Sequence, residues 1–310
     1  MVHRVVTLAD PRSDDFLAYC AAHGAEHDES YIPGAAWEFG DDYPSFLLQG
    51  EDGSVRGAAA VMLGPSLRAA RKARIAILHV SGEATELEYR NLLASVVASI
   101  KDSAEELYLF IPEALVELRA ILGRAGFSFE RTAFLMRTET STPEHPTRAA
   151  VFPEGYSSSP VMAGDISAIA EFIATRNRNF REVKGSSDAR TEDLVSFIAS
   201  GEYLEGGLVR LVAPDGGTCG TLRVERDEED GSAFIGTISV DKNHRGKGLA
   251  RGLIRTALSI AGNAGIQAAF LSVNADNSAA LDLYRKEGFS VVKAMTCLSA
   301  STAALQAQGV

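Results

Sequence analysis

Short apolar runs of strand length alternate along this chain with longer segments whose apolar residues recur every three or four positions. The first kind reads as strands and the second as amphipathic helices. Ala233 to Val240 is a strand-length run. It leads through the polar, glycine-containing stretch Asp241 to Gly248 into the helically periodic Leu249 to Ala261. A second run, Ala268 to Val273, comes after Gly265, and a further helical segment opens at Asn277. Upstream, Leu208 to Ala213 and Gly220 to Val224 flank Asp215-Gly216 and read as a hairpin. Asp165 to Ile173 and Thr191 to Ile198 read as helices that open with capping and acidic residues. This order predicts a mixed sheet flanked by helices.

The same pattern occurs earlier in the chain. The apolar run Ala73 to Val80 lies 160 residues before Ala233 to Val240, and Gly126-Phe127 lies 162 residues before Gly288-Phe289. The hairpin signal Asp52-Gly53, between Ser45 to Gln49 and Gly57 to Leu63, stands in the same relation to Asp215-Gly216. Landmarks at nearly one spacing indicate a duplicated domain. The stretch Thr138 to Thr147, with Pro143, Pro146 and several hydroxyl residues, reads as the linker. The expected organisation is a first domain over 1–142, a linker over 143–150 that leads into a strand-like Ala149 to Phe152, a second domain over 151–298, and a frayed Ala- and Ser-rich tail over 299–310.

Composition narrows the class. A chain of 310 residues suits two domains, each of about 100–150 residues. No apolar run approaches the roughly 20 residues of a membrane span, and the opening residues lack the apolar core of a signal peptide. The expectation is a cytoplasmic protein without a membrane partner. A formal net charge of −11 argues against nucleic acid as a partner. Cys20, Cys219 and Cys297 lack metal-ligand spacing and read as three small hydrophobes, so no metal is expected.

Against this acidic background the basic loop Arg245-Gly246-Lys247-Gly248 stands out. Glycines let a backbone approach an anion, and the first-turn amides of the following helix lack intrahelical partners, so the loop reads as a phosphate cradle. It matches neither of the common nucleotide-binding glycine patterns. Taken with the segment Asn277 to Phe289, the loop resembles the Gcn5-related N-acetyltransferase (GNAT) superfamily. Arg245, Gly248 and Ala250 meet that family's [RQ]-x-x-G-x-[GA] loop, and Asn277, Ala280, Tyr284, Gly288 and Phe289 meet its N-x-x-A-x-x-x-Y-x-x-x-G-F signature.

The resemblance implies two tandem GNAT folds of the α/β class (an α+β mixed sheet), each a mostly antiparallel central sheet flanked by helices. It implies an acyltransferase that carries an acetyl group from acetyl-CoA to a primary amine, most simply that of a small molecule. A protein N-terminus or lysine as acceptor, or a non-catalytic acyl-CoA sensor, are the alternatives; the chain would be a monomer or homodimer. The cofactor contacts implied are Ile238, Ser239 and Val240 along the strand edge, Arg245, Gly246, Lys247, Gly248, Leu249 and Ala250 on the pyrophosphate, and Asn277 and Tyr284 near the pantetheine arm. Val240 would donate its N–H to the oxyanion and Tyr284 would be the general acid, a phenol with a pKa of about 10 that is protonated at neutral pH. Asn277 is equally suited to cap its helix.

The general base is open. The position at which many family members carry a glutamate is Phe234 here, which leaves Glu225 on the preceding strand, the acidic hairpin Asp227 to Asp230, or proton transfer through water. His244 sits in the loop, where a phosphate contact is one reading, and reads first as exposed and incidental. In the first copy Thr85, Glu88 and Arg90 stand where the second has Arg245, Gly248 and Ala250, and Leu115 and Leu122 replace Asn277 and Tyr284. A carboxylate beside a phosphate costs about 1–4 kcal/mol at surface-like dielectric. With Glu83, Glu86 and Glu88 around that position, the first domain is expected to be non-catalytic.

Overall fold

The computed structural model describes residues 4–7, 13–27, 31–140, 149–183, 185–186, 188–227 and 230–309. The chain forms two compact units. Unit 1 comprises Met1–Ala133 with Ala294–Val310, and unit 2 comprises Phe134–Lys293.

In unit 1, strands β1 (Arg4–Thr7), β2 (Ser45–Gln49), β3 (Val55–Met62) and β4 (Lys72–Val80) run antiparallel to their neighbours, and β5 (Glu106–Pro112) joins β4 in parallel. Helix α1 (Ser13–His23) places Phe16, Tyr19 and Cys20 in a core on one face, with Leu47, Ala58 and Ile77. Helices α3 (Glu86–Ile100) and α4 (Val116–Ala125) bury Leu92, Leu93, Val96 and Leu122 in the core of the other face. The short α2 (Pro65–Ala69) leads into β4. Strand β6 (Ser128–Glu139) then carries the chain from unit 1 into unit 2.

Unit 2 repeats this plan. Strands β7 (Ser157–Pro160), β8 (Tyr203–Val212), β9 (Thr218–Arg226) and β10 (Ala233–Val240) are antiparallel in sequence, and β11 (Ala268–Asn274) joins β10 in parallel. Helices α5 (Ile166–Phe180) and α6 (Thr191–Ile198) pack Ile169, Phe172, Leu194 and Phe197 on one face. On the other, α7 (Leu249–Asn263) and α8 (Ser278–Lys286) contribute Leu253, Ile254, Ala257 and Leu281. The expected cap at Asp165 is present, its Oδ1 accepting from Ala168 N at 2.9 Å. All three cysteines are buried and free.

Two expectations are corrected. The linker segment 141–148 lies outside the described residues, and Ala149 to Phe152 is irregular rather than a strand. The tail is ordered: β12 (Ser290–Ser301) pairs antiparallel with β5 from Met295↔Pro112 to Ser301↔Glu106, and α9 (Thr302–Ala307) comes next. Ser301 caps α9 through Ala304 N, Thr302 Oγ1 donates to Ala104 O at 3.1 Å, and Leu305 is fully buried in the unit 1 core. The end of the chain therefore completes the first unit, and the division falls at 133/134 and 293/294 rather than at 142 to 150. Local composition misleads here because β5, the partner that fixes this strand, lies far away in sequence.

Leu305→Ala is expected to cost about 2–5 kcal/mol, the usual range for a fully buried leucine. Urea unfolding followed through unit 1 checks it, and an unchanged midpoint would mean that the tail does not pack.

Candidate active site

In unit 2 the two parallel strands pair only at their start. Ala233 and Phe234 of β10 are in register with Ala269 and Phe270 of β11, after which the strands part. On its other side β10 stays paired with β9, through Ile238↔Leu222, Ser239↔Thr221 and Val240↔Gly220. Asp241 N donates to Cys219 O at 2.8 Å. Antiparallel ladders alternate hydrogen-bonded and non-hydrogen-bonded pairs, so Asp241–Cys219 and Ser239–Thr221 are the bonded ones. The N–H and C=O groups of Ile238 and Val240 therefore point away from β9, toward the gap from which β11 has diverged. The Val240 carbonyl accepts from Arg245 Nε at 2.9 Å.

Ser239 differs from the expectation that grouped it with these two. Its backbone faces β9, and its hydroxyl lies on the α5 side, 2.7 Å from Thr221 Oγ1 and 3.0 Å from Asn179 Nδ2. The alternation of a strand dictates this: adjacent residues cannot both present their peptide groups to the same edge.

From Val240 the chain makes a short turn over Lys242–His244 and enters α7. Arg178 Nη2 holds the start of the turn by donating to Asp241 Oδ2 at 2.8 Å. Gly246 and Gly248 adopt φ of +79° and +82°, which a side chain would strain, and a Cβ at either would meet nothing within 4 Å. Gly248 is the N-cap of α7, and no side chain caps this helix. Its first-turn amides thus face outward beside Arg245 and Lys247, which are exposed. Leu249 anchors the first turn in the core while Ala250 is half-buried.

Unit 1 has the same backbone plan and the opposite chemistry. There β4 and β5 also part after Ile75, and Ser81 N bonds Arg56 O as Asp241 N bonds Cys219 O. Yet α3 is closed by a capping box: Thr85 Oγ1 accepts from Glu88 N, and Glu88 Oε2 accepts from Thr85 N at 2.8 Å. Glu88 is only 3% exposed and pairs with Arg56 at 3.4 Å. The Tyr89 hydroxyl hydrogen-bonds the Val80 backbone. The groups left open in unit 2 are satisfied internally in unit 1.

Tyr284 stands on α8 among the hydrophobic residues around α7, and burial pushes its phenol up to about 12. Arg255 clamps α8 to α7, donating from Nε and Nη2 to the two carboxylate oxygens of Glu287 at 2.8 and 3.2 Å. Asn277 caps α8, its Oδ1 accepting from Ala280 N at 3.2 Å.

Glu225 is directly opposite Phe234 in the β9–β10 ladder. Opposed residues of an antiparallel pair share a face, so its carboxyl lies on the same face, and at the same level along the sheet, as a carboxylate at position 234 would. Gly236 leaves the room: a Cβ there would come within 3.3 Å of Glu225 Oε1. Glu225 pairs with Arg223, whose guanidinium lies 3.9 Å over the Phe197 ring. Burial nonetheless outweighs the arginine and raises the Glu225 carboxyl above its ordinary range. Of the acidic hairpin, Glu228 and Glu229 fall outside the described residues.

Several side chains at the loop carry no signal in the sequence motifs. The Tyr156 hydroxyl lies 2.9 Å from His244 Nδ1 and accepts from Lys247 Nζ at 2.9 Å. His244 is therefore half-buried and tied to the loop rather than exposed and incidental. Phe152 lies against α7 where Gly252 permits it, since a Cβ there would be 2.4 Å from the ring. The glycine within the periodic α7 segment is the one sequence signal that points to such an approach.

Residues 173–289, all in unit 2, match the Acetyltransferase (GNAT) family. Unit 2 carries a GNAT domain. Solved structures extend the likeness in fold to both units. A GCN5-related N-acetyltransferase from Sphaerobacter thermophilus is 18% identical with a TM-score of 0.73, covering 96% of each chain. A tandem GNAT protein from the clavulanic acid biosynthesis pathway is 17% identical with a TM-score of 0.64, over 97% of this chain and 99% of that one. A GNAT-family acetyltransferase from Colwellia psychrerythraea is 12% identical with a TM-score of 0.56, over 96% and 99%. At these identities the likeness is one of fold, and it is the tandem GNAT fold. No curated protein matches the chain in sequence. Among the described residues no helix is long and apolar enough to cross a membrane.

The raised Glu225 carboxyl has a consequence for the stability of the GNAT unit. A group that holds its proton more firmly when folded stabilises the fold below its unfolded value, ordinarily 4.5. That contribution is lost as pH rises through the folded value. Glu225→Gln removes the loss, so the stability of the variant relative to the parent should rise from acid toward neutral pH in urea unfolding. A flat difference would mean that the carboxyl is not raised.

Proposed function

We propose that unit 2 transfers the acetyl group of acetyl-CoA to the primary amine of a small molecule. The observation that carries this reading is the parting of β10 from β11 directly before an uncapped helix N-terminus. The first feature offers peptide groups that no neighbouring strand pairs to an extended chain of amides. The second offers amides and cations to a diphosphate a few residues further on.

In this reading the peptide groups of Ile238 and Val240 pair with the pantetheine arm as an added strand would. The amides from Arg245 to Ala250, with the Arg245 and Lys247 side chains, hold the pyrophosphate. Tyr156 positions Lys247 and His244 for that role. The N–H of Val240 donates to the oxyanion that forms when the amine attacks the thioester carbonyl. Glu225 accepts the proton lost by the amine, directly or through water, and its raised pKa suits it to that work. Tyr284 protonates the leaving thiolate; with its pKa near 12 it keeps its proton throughout the working range. Asn179, Ser239 and Thr221 form a hydrogen-bonded polar track on the same face as Glu225, suited to the polar groups of a small acceptor. Unit 1 serves as a non-catalytic partner, since its own loop helix is capped from within.

Acetyl-CoA turnover with a panel of small primary amines, followed by free-thiol release, tests the proposal beside Tyr284→Phe and Glu225→Gln. Tyr284→Phe should lower kcat by about 100- to 10,000-fold, the usual worth of a general acid, and leave acetyl-CoA affinity intact. The acid limb of kcat/KM should lie above the ordinary carboxylate range and vanish in Glu225→Gln. Full turnover by the Tyr284→Phe variant would remove that residue from the mechanism, and preference for peptide N-termini over all small amines would move the acceptor class.

A further inference from the structure

We infer that unit 1 holds a divalent metal ion of the Zn²⁺ class between His23, Glu26 and His79. The inference is independent of the activity proposed for unit 2.

The three residues reach one point from two distant parts of the chain. His23 is the last residue of α1, Glu26 lies in the short helical turn after it, and His79 lies on β4 one residue before its end. Their ligand atoms all lie within 4.8 Å of one another. His23 Nδ1 is 3.2 Å from Glu26 Oε1, and His79 Nε2 is 3.2 Å from Oε2. Ligands bound at about 2.0–2.2 Å around a tetrahedral ion stand roughly 3.3–3.6 Å apart, so each histidine is already near ligand spacing from the carboxylate, and the set as a whole, within 4.8 Å, would draw in around an ion. Two imidazoles and a carboxylate are the donor set of open Zn²⁺ sites.

The surroundings of His79 strengthen the case. Its Nδ1 lies 2.7 Å from the Tyr19 hydroxyl, and that hydroxyl donates to the Arg56 carbonyl at 3.0 Å. In the tautomer that binds a metal, His79 Nδ1–H donates to the Tyr19 oxygen and Nε2 keeps a lone pair. That lone pair faces Glu26 Oε2 at 3.2 Å, so a cation between the two would be held by both. A proton would satisfy this one pair, whereas a metal ion satisfies His23, Glu26 and His79 together. A partner on the far ring nitrogen is also how proteins orient a metal-binding imidazole. His27, nearby, spends its Nε2 on the Leu78 carbonyl at 3.0 Å.

All three ligands line a cavity of about 800 Å³, whose other walls include Val80, Ser81, Glu83 and Leu115. The position left open by three protein ligands thus faces space that a water or an anionic ligand would fill. This cavity lies where β4 and β5 part, the same feature that unit 2 offers to acetyl-CoA in the proposed reading.

The test is calorimetric titration of ZnCl₂ into the full chain after stripping with chelator, for the parent and for His23→Ala, Glu26→Gln and Tyr19→Phe. His23 and Glu26 are solvent-accessible, so these changes spare the core, and circular dichroism with thermal melting verifies the fold of each variant. The parent should take up one Zn²⁺ per chain. His23→Ala should abolish the site, Glu26→Gln should weaken it strongly, and Tyr19→Phe should weaken it about 10- to 100-fold, as loss of an orienting partner does. Absence of uptake by the parent overturns the inference. Undiminished uptake by His23→Ala and Glu26→Gln also overturns it, because the ion would then sit on other acidic groups and the three residues would be a hydrogen-bonded cluster alone.

Discussion

The amides at the start of α7 have no side chain to satisfy them, and the functional reading of the chain depends on that opening. Every helix begins with N–H groups that must find a partner, and most sequences supply one locally. Here the residue at the N-cap is Gly248, which has no side chain to offer and whose φ of +82° keeps the loop open. Unit 1 reaches the same place in its fold with Thr85 and Glu88, and these two residues close the helix reciprocally. One backbone plan therefore occurs twice, once ready for an external anion and once sealed.

The divergence extends along the strand that leads to the helix. In both units the parallel neighbour departs and leaves peptide groups turned toward a gap. In unit 2 the Val240 carbonyl is held by Arg245, a loop residue, whereas in unit 1 the Val80 backbone is held by the buried hydroxyl of Tyr89. An ionic side chain on a long stem can be exchanged for a ligand, but a buried aromatic cannot without disturbing the core. The histidines beside the unit 1 gap offer a different chemistry in place of the lost one.

Much of this is legible in the residues because it is local. The apolar run Ala233 to Val240, the glycine loop and the periodic segment after it each carry their own signal within a dozen positions, and the observed β10 and α7 start where these patterns start. The features that escape the sequence are non-local. The pairing of β12 with β5 joins residues nearly two hundred positions apart, so an Ala- and Ser-rich tail reads as unconstrained. The level of Glu225 with Phe234 depends on a cross-strand register that no spacing along one strand reveals. Tyr156 reaches the loop from about ninety residues upstream, and His79 meets Glu26 only because β4 passes the end of α1. Ser239 departs from expectation for a simpler reason: a strand edge is not continuous, since alternate residues face opposite neighbours.

Calorimetric titration of acetyl-CoA into the parent chain and into Arg245→Glu tests the contrast between the two helix termini most directly. One site per chain is expected, lost on charge reversal at the open loop. Two sites, or binding that survives Arg245→Glu, would contradict it, because the capped helix of unit 1 would then be holding the ligand that its own side chains are argued to exclude.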